Sequence, residues 1–385
     1  MFKYFCALAS LQHTAYIVLT NQLFSDHKLY KYRSHLYVAC IIVTVLGLID
    51  PEELGITHTH EHLSMNYSFA LAPRDGDPMV AEKQNAPITM ENLGWIRQYP
   101  FSHRPNLNYN SAQKYVIEEL QNFKKYGGSA VVENTTVGLH RDIKFVKRAS
   151  EESCVHVIAG TGYYFEASLS AEVRGMSVEQ LAETMVQDIT QGTDGTDIKC
   201  GVIGELGCSW PLTDVERRVL QAGAQVQSSL GCPVIIHPGR GEDSPMEVIR
   251  VLQEAGGRID KTVMSHLDRT IYHQEKLTEL AETGIFCEYD LFGLEVAHYQ
   301  FNQKVDMPND GVRIQNIKYL IDHGYGKQVV IAHDCHTLHR LEKYGGHGMC
   351  HILLNIVPHM KQRGITQSSI DDILINNPRR WLAFF

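Results

Sequence analysis

Two histidines, His60 and His62, stand one residue apart in the run Gly55-Ile56-Thr57-His58-Thr59-His60-Glu61-His62-Leu63, which follows the apolar run Val43-Thr44-Val45-Leu46-Gly47-Leu48-Ile49. Side chains alternate along a β-strand, so both imidazoles would leave one face and could grip a single metal ion. On its own such a pair is more often a polar strand end. It gains chemical meaning from Glu205, His237, His266 and Asp334, each of which closes a later apolar run of strand character. Singly, these too have plain readings: a carboxylate at a loop start, two satisfied barrel histidines, a cap for the following segment. Together, four imidazoles and two carboxylates suit two zinc-like divalent ions about 3.5–4 Å apart, bridged by Glu205 and a hydroxide. Neutral imidazoles leave the ions positive enough to bring the pKa of a bound water toward about 7, while the carboxylates limit the charge and can carry a proton.

The elements that must position these residues alternate between strand and helix. Strands are expected at 129–133, 155–159, 200–205, 233–237, 262–266, 285–290 and 328–334, after a first one at the His60 run. Helices are expected at 111–125, 141–150, 177–191, from 213 to about 230, from 244 to 255, at 276–283 and at 312–323. Thr213-Asp214-Val215-Glu216 and Ser244-Pro245-Met246-Glu247 read as capping boxes, the second with proline at N1 where its missing N–H costs nothing. Eight strands with helices between them predict an α/β fold, a single (β/α)8 TIM barrel, whose strand ends bring the six residues to one mouth. Between the first strand and first helix lies an irregular stretch, Asn66 to Asn110, with five prolines and several aromatics. A loop of that length tends to be functional, and a lid or pocket wall is expected there, with a surface insertion as the alternative.

A chain of 385 residues accommodates one such barrel with insertions. The net charge of −9, with no lysine or arginine block, argues against nucleic acid as a partner. Nine cysteines without a Cys-x-x-Cys pair point to reduced thiols, a cytoplasmic setting and no cysteine zinc site. The apolar stretches before residue 49 are too short or too interrupted to span a membrane. Residues 1–43 are therefore expected to be an extension outside the core, and 44–385 the barrel; a secreted or anchored form through that extension is the alternative. No membrane partner is expected, and a homodimer is an assembly the sequence leaves open.

Several runs carry a family resemblance: Thr59-His60-Glu61-His62-Leu63, Val132-Glu133-Asn134-Thr135-Thr136, Gly204-Glu205-Leu206-Gly207-Cys208-Ser209-Trp210, Ile236-His237-Pro238-Gly239-Arg240, Ser265-His266-Leu267-Asp268-Arg269-Thr270, Glu288-Tyr289-Asp290-Leu291-Phe292-Gly293, Ala332-His333-Asp334 and Lys343-Tyr344-Gly345-Gly346-His347-Gly348. From about Val45 to Phe385 the chain resembles the phosphotriesterase-related proteins of the amidohydrolase superfamily. That resemblance implies His60, His62 and Asp334 on a buried metal, His237 and His266 on a more exposed one, and Glu205 between them. Bacterial phosphotriesterases usually carry a carboxylated lysine at the bridging position, so Glu205 counts against phosphotriester hydrolysis. His58 stands where the family more often has an apolar residue. Strict alternation would put it on the face of His60, one layer deeper, as a core or supporting residue and not a ligand.

The expected reaction is attack of the bridging hydroxide on the carbonyl carbon of a small N-acyl substrate. Asp334 would take the proton and pass it to the leaving group, directly or through a histidine. His333 is a poor relay, because alternation turns it away from the face of Asp334. The resemblance implies N-acetyltaurine or related N-acetylated amino acids as substrate; a phosphotriester or a lactone is the alternative, and a barrel that has lost catalysis is the non-enzymatic one. An acidic tail needs a cationic partner. Arg240 and Arg269, each three residues past a ligand histidine, are the candidates, with loop bracing against an acid such as Asp268 as their other reading. Tyr289 is a further candidate for the pocket. Zinc suits the donor set, with manganese or cobalt also compatible.

Overall fold

In the computed structural model, residues 40–72 and 78–384 are described. Eight parallel strands form one sheet: β3 (Thr57–Glu61), β4 (Ala130–Glu133), β5 (His156–Thr161), β6 (Val202–Gly207), β7 (Val234–His237), β8 (Thr262–Met264), β9 (Phe286–Tyr289) and β10 (Val329–Ile331), each beside its neighbours in sequence. Each matches an expected strand to within a few residues. The sheet curls until its last strand meets its first: the Asp334 amide donates to the carbonyl of His60 at 3.0 Å, and the Thr59 hydroxyl to that of Ile331 at 3.4 Å. Helices such as Gln113–Lys125, Val178–Thr190 and Asp214–Leu230 alternate with the strands. The architecture is a (β/α)8 barrel.

Alternation divides each strand between two apolar layers. Inside the barrel, Ala130, Val132, Ile158, Val202, Ile235, Val263, Phe286 and Val330 form one cluster with Ile42, Leu54 and Trp381. Outside it, Val131, Val157, Ile203, Ile236 and Cys287 join the larger layer under the helices. Two short strands precede the barrel: β1 (Ile42–Thr44) and β2 (Gly47–Ile49) pair antiparallel, Ile42 opposite Ile49. The Ile41 amide reaches the carbonyl of Phe384 at 3.1 Å, so the two ends of the described chain are tied together. Of the expected extension 1–43, positions 1–39 lie outside the described residues; Ile42 is buried. No helix among the described residues is long and apolar enough to cross a membrane. The eight described cysteines are free thiols.

The first expected capping box forms: Thr213 Oγ1 accepts from the amide of Glu216 at 3.3 Å, and the Glu216 carboxylate accepts from that of Thr213 at 3.1 Å. The second does not. The helix Ser244–Glu254 already includes Ser244, whose hydroxyl accepts from the Gly239 amide at 2.9 Å, while Glu247 pairs with Arg250 and Arg217. A hydroxyl engaged by the preceding loop is not free to cap. The stretch after β3 is less irregular than expected, since it contains helices Pro78–Lys83 and Met90–Gln98 and several single turns.

Candidate metal centre and substrate pocket

The register of β3 against β4 shifts between His58 and Glu61, a bulge that slips the alternation by one residue. As a result Thr59 and His60 both turn inward: the Thr59 hydroxyl and His60 Nδ1 reach the same Glu288 carboxylate, at 2.5 and 3.1 Å. His62 also turns inward. His58 goes the other way, which corrects the expectation from strict alternation: its ring lies 4.4 Å from that of Phe123, on helix Gln113–Lys125, and 4.7 Å from that of His333. Glu61 shares this outer side and accepts from the ring and amide of His333 and the amide of Cys335. A second shift, between Ile203 and Leu206 of β6, turns Glu205 inward. His266 and Asp334, just past β8 and β10, adopt left-handed backbone with φ of 56° and 53°, a conformation uncommon outside glycine that tends to gather at functional sites.

These turns converge six side chains. His62 Nε2 lies 3.3 Å from Asp334 Oδ1 and 3.6 Å from Glu205 Oε1, and His60 Nε2 lies 3.4 Å from Glu205 Oε2 and 3.9 Å from Asp334 Oδ1. On the other side of Glu205, His237 Nδ1 and His266 Nε2 approach its Oε2 at 3.1 and 3.3 Å and each other at 2.8 Å. Four donors about 2.0–2.1 Å from one zinc ion sit about 3.3–3.4 Å apart in a tetrahedron, so most of these separations fit ligands. His60 Nε2 is buried and has no hydrogen-bond partner, the state of an atom that an ion would satisfy. Two groups, His60, His62 and Asp334, then Glu205, His237 and His266, could each hold one ion.

The electrostatics agree. Burial alone would lower the pKa of His62, but the Asp334 and Glu205 carboxylates outweigh it and raise the group to about 9. Burial would raise Glu205; the imidazoles of His60 and His237 instead hold it well below the carboxylate range. Without ions the cluster keeps its charge balance by holding protons on imidazoles. Ions at the same atoms would displace them.

The remaining ring nitrogens are anchored. His60 Nδ1 meets Glu288 and Asp290 at 3.1 and 3.2 Å, His266 Nδ1 meets Asp290 at 2.9 Å, and His62 Nδ1 meets the Thr135 hydroxyl at 2.9 Å. Such partners fix ring orientation and tautomer and strengthen the donor. The sequence reading assigned no role to Glu288, Asp290 or Thr135, although two acids spaced by one residue at a strand end carry the same inward-facing signal as His60 and His62. Tyr289, between them, points outward and is buried in the layer under the helices, away from the pocket, so its expected place there is corrected.

Above the six residues opens a pocket lined in part by Met65, Tyr67 and Phe101 of the stretch after β3, which serves as a wall. Arg240 and Arg269 face into it. Arg240 donates from Nε to the Tyr299 hydroxyl at 3.1 Å and lies 5.0 Å from the Phe301 ring centre; Arg269 Nη2 is 3.1 Å from His237 Nε2. Asp268 does not brace either of them, because its carboxylate is taken by Arg313 Nε at 2.6 Å and by the Asp290 amide at 3.0 Å. Among the described residues, no carboxylate pairs with Arg240 or Arg269. His336, missed in the sequence, also lines the pocket, with Nδ1 3.1 Å from Asp334 Oδ1 and its ring stacked on Phe101.

The sequence model of the phosphotriesterase family matches residues 41–382. The chain belongs to that family. The N-acetyltaurine hydrolases of Bos taurus and Danio rerio are each 55% identical to it, over 89% of this chain and 98% of theirs. The crystal structure of a resiniferatoxin-binding protein from Rhodobacter sphaeroides, 31% identical, superposes with a TM-score of 0.85 over 89% of this chain and 94% of that one. This phosphotriesterase-family chain is thus a hydrolase of a metal-dependent family, acting on a small molecule.

Proposed function

We propose that the chain hydrolyses N-acetyltaurine to acetate and taurine at a centre of two divalent ions, zinc by the nature of the donors. The observation that carries this reading is the joining, in one pocket, of six convergent ligand atoms with two guanidiniums that have no carboxylate partner. The curated relatives supply the substrate name. His60, His62 and Asp334 would hold one ion, His237 and His266 the other, and Glu205 would share both. Bound there, the ions supply an acidified water and polarise the acyl carbonyl.

The rest falls to the chain. Arg240 and Arg269 bind the sulfonate, which offers three acceptor oxygens to their forked donors. Met65 and Leu291 line the pocket as apolar walls for the acetyl methyl. Asp334 accepts the proton of the attacking water and delivers it to the departing amine nitrogen, with His336 beside it, its Nδ1 donating to the Asp334 backbone carbonyl at 2.7 Å and lying 3.1 Å from the carboxylate. We place the enzyme in the cytoplasm, where its thiols stay reduced. The test is acetate release from N-acetyltaurine by the purified protein, with and without a chelator, beside a lactone and a phosphotriester. Chelator-sensitive acetate release with weak activity on the other two is the expected result. Faster cleavage of either comparator would overturn the substrate.

A further inference from the structure

The segment between β9 and the helix Asp310–Asp322 runs through Leu294, Tyr299 and Phe301 and has no regular structure. A connection of that length inside a barrel is uncommon unless it serves a site. Its middle residue, Gln300, spends its whole side chain on the wall that follows β3. Oε1 accepts from the amide of Phe101 at 3.1 Å, and Nε2 donates to the Ser102 hydroxyl at 2.7 Å and to the carbonyl of Ala72 at 3.3 Å. The two segments also touch through Phe101 and Phe301, whose rings lie 4.3 Å apart.

The residues flanking Gln300 hold Arg240. Tyr299 accepts from its Nε, Phe301 lies against its guanidinium, and Asn302 donates to its backbone carbonyl at 3.3 Å. On the far side of the joint, Phe101 stacks on His336. A single amide thus fixes both the aromatic partners of a guanidinium and a wall of the pocket it faces. An arginine side chain has many rotamers to lose, so holding it in place before a ligand arrives favours binding without touching the ligand.

We propose that Gln300 is a positioning residue for the acidic tail of the substrate, acting through Arg240 by locking its aromatic holder to the wall after β3. The proposal rests on the reading of Arg240 as a tail-binding group. Its effect falls on KM for substrates with an anionic tail. Gln300 bonds none of the six convergent residues, so kcat is expected to change little.

The experiment compares wild type, Gln300→Ala and Ser102→Ala on N-acetyltaurine and on N-acetylethanolamine, which replaces the sulfonate by a neutral hydroxyl. Wild type is expected to prefer the sulfonate through a lower KM. Gln300→Ala is expected to raise KM for N-acetyltaurine about tenfold, with kcat and the KM for N-acetylethanolamine within about twofold. Ser102→Ala, which removes one partner of the amide, should move the same constant in the same direction by less. If wild type shows no preference for the charged tail, the reading of Arg240 falls and the proposal with it. If the preference exists but Gln300→Ala leaves it intact, or raises both KM values equally, the role of Gln300 alone is overturned.

Discussion

At one end of the barrel, Ala130, Val132, Ile158, Val202, Ile235, Val263, Phe286 and Val330 fill the interior with Trp381 among them. At the other, the same strands present His60, Glu205, His237, Glu288 and Asp290, all equally buried. At the apolar end burial itself stabilises, and plain alternation delivers each side chain to its layer. At the polar end burial opposes every charge, and the groups persist because each meets a partner. That end is also where the backbone leaves regularity, through two bulges and two left-handed residues. Both register shifts of the barrel sheet fall where direction matters for chemistry.

Substitutions at the two ends should therefore fail in opposite ways. Asp334→Asn keeps an oxygen for an ion but removes the proton acceptor, so kcat for acetate release should fall about thousandfold while the melting temperature moves little. Full turnover would remove Asp334 from the chemistry. Trp381→Ala should show the reverse signature. Loss of its buried ring, and of its indole bond to the Val234 carbonyl at 3.2 Å, should lower stability by about 3–5 kcal/mol in denaturant titrations, with kcat of the folded protein kept. A kcat loss like that of Asp334→Asn would erase the distinction between the ends.

Protons sharpen the comparison. In the metal-free protein the His62 imidazole is held at about 9, so below that pH it is charged and must shed its proton to become a ligand. Metal affinity should therefore fall as pH drops below about 9, by about tenfold per unit for each proton displaced, and binding should release protons into a weakly buffered solution. Affinity flat from pH 6 to 9 would contradict the charge balance drawn for the site. The smallest effect is expected at His58, on the outer side of β3, with Nδ1 3.4 Å from Glu61 Oε1 but outside hydrogen-bonding geometry. Neither of its ring nitrogens makes a hydrogen bond. His58→Leu should raise stability by about 1 kcal/mol and leave kcat unchanged; a loss of stability would show that the imidazole has a role there.

The barrel and its six convergent residues were legible because both rest on strand periodicity and strand-end placement, which sequence carries directly. His58 and Tyr289 were not placed correctly. A bulge turned the first outward, and the second was offered for the pocket although its own alternation points it to the helices. Glu288 and Asp290 went without a role because nothing in a lone sequence says that an acid two strands away will meet the back of an imidazole. Arg240 and Arg269 were singled out by their distance from His237 and His266, but their freedom from acids depends on Arg313 having taken Asp268, a pairing across 45 residues. His336 was passed over because it lies two residues past Asp334, beyond the last strand, where alternation no longer says which way a side chain points.

The most direct measurement is a titration of zinc into the chelated protein while acetate release from N-acetyltaurine is followed. Activity absent at first and rising to its maximum at two equivalents per chain is the predicted result. Activity that survives chelation, or that is complete at one equivalent, would contradict a two-ion centre built from His60, His62, Glu205, His237, His266 and Asp334.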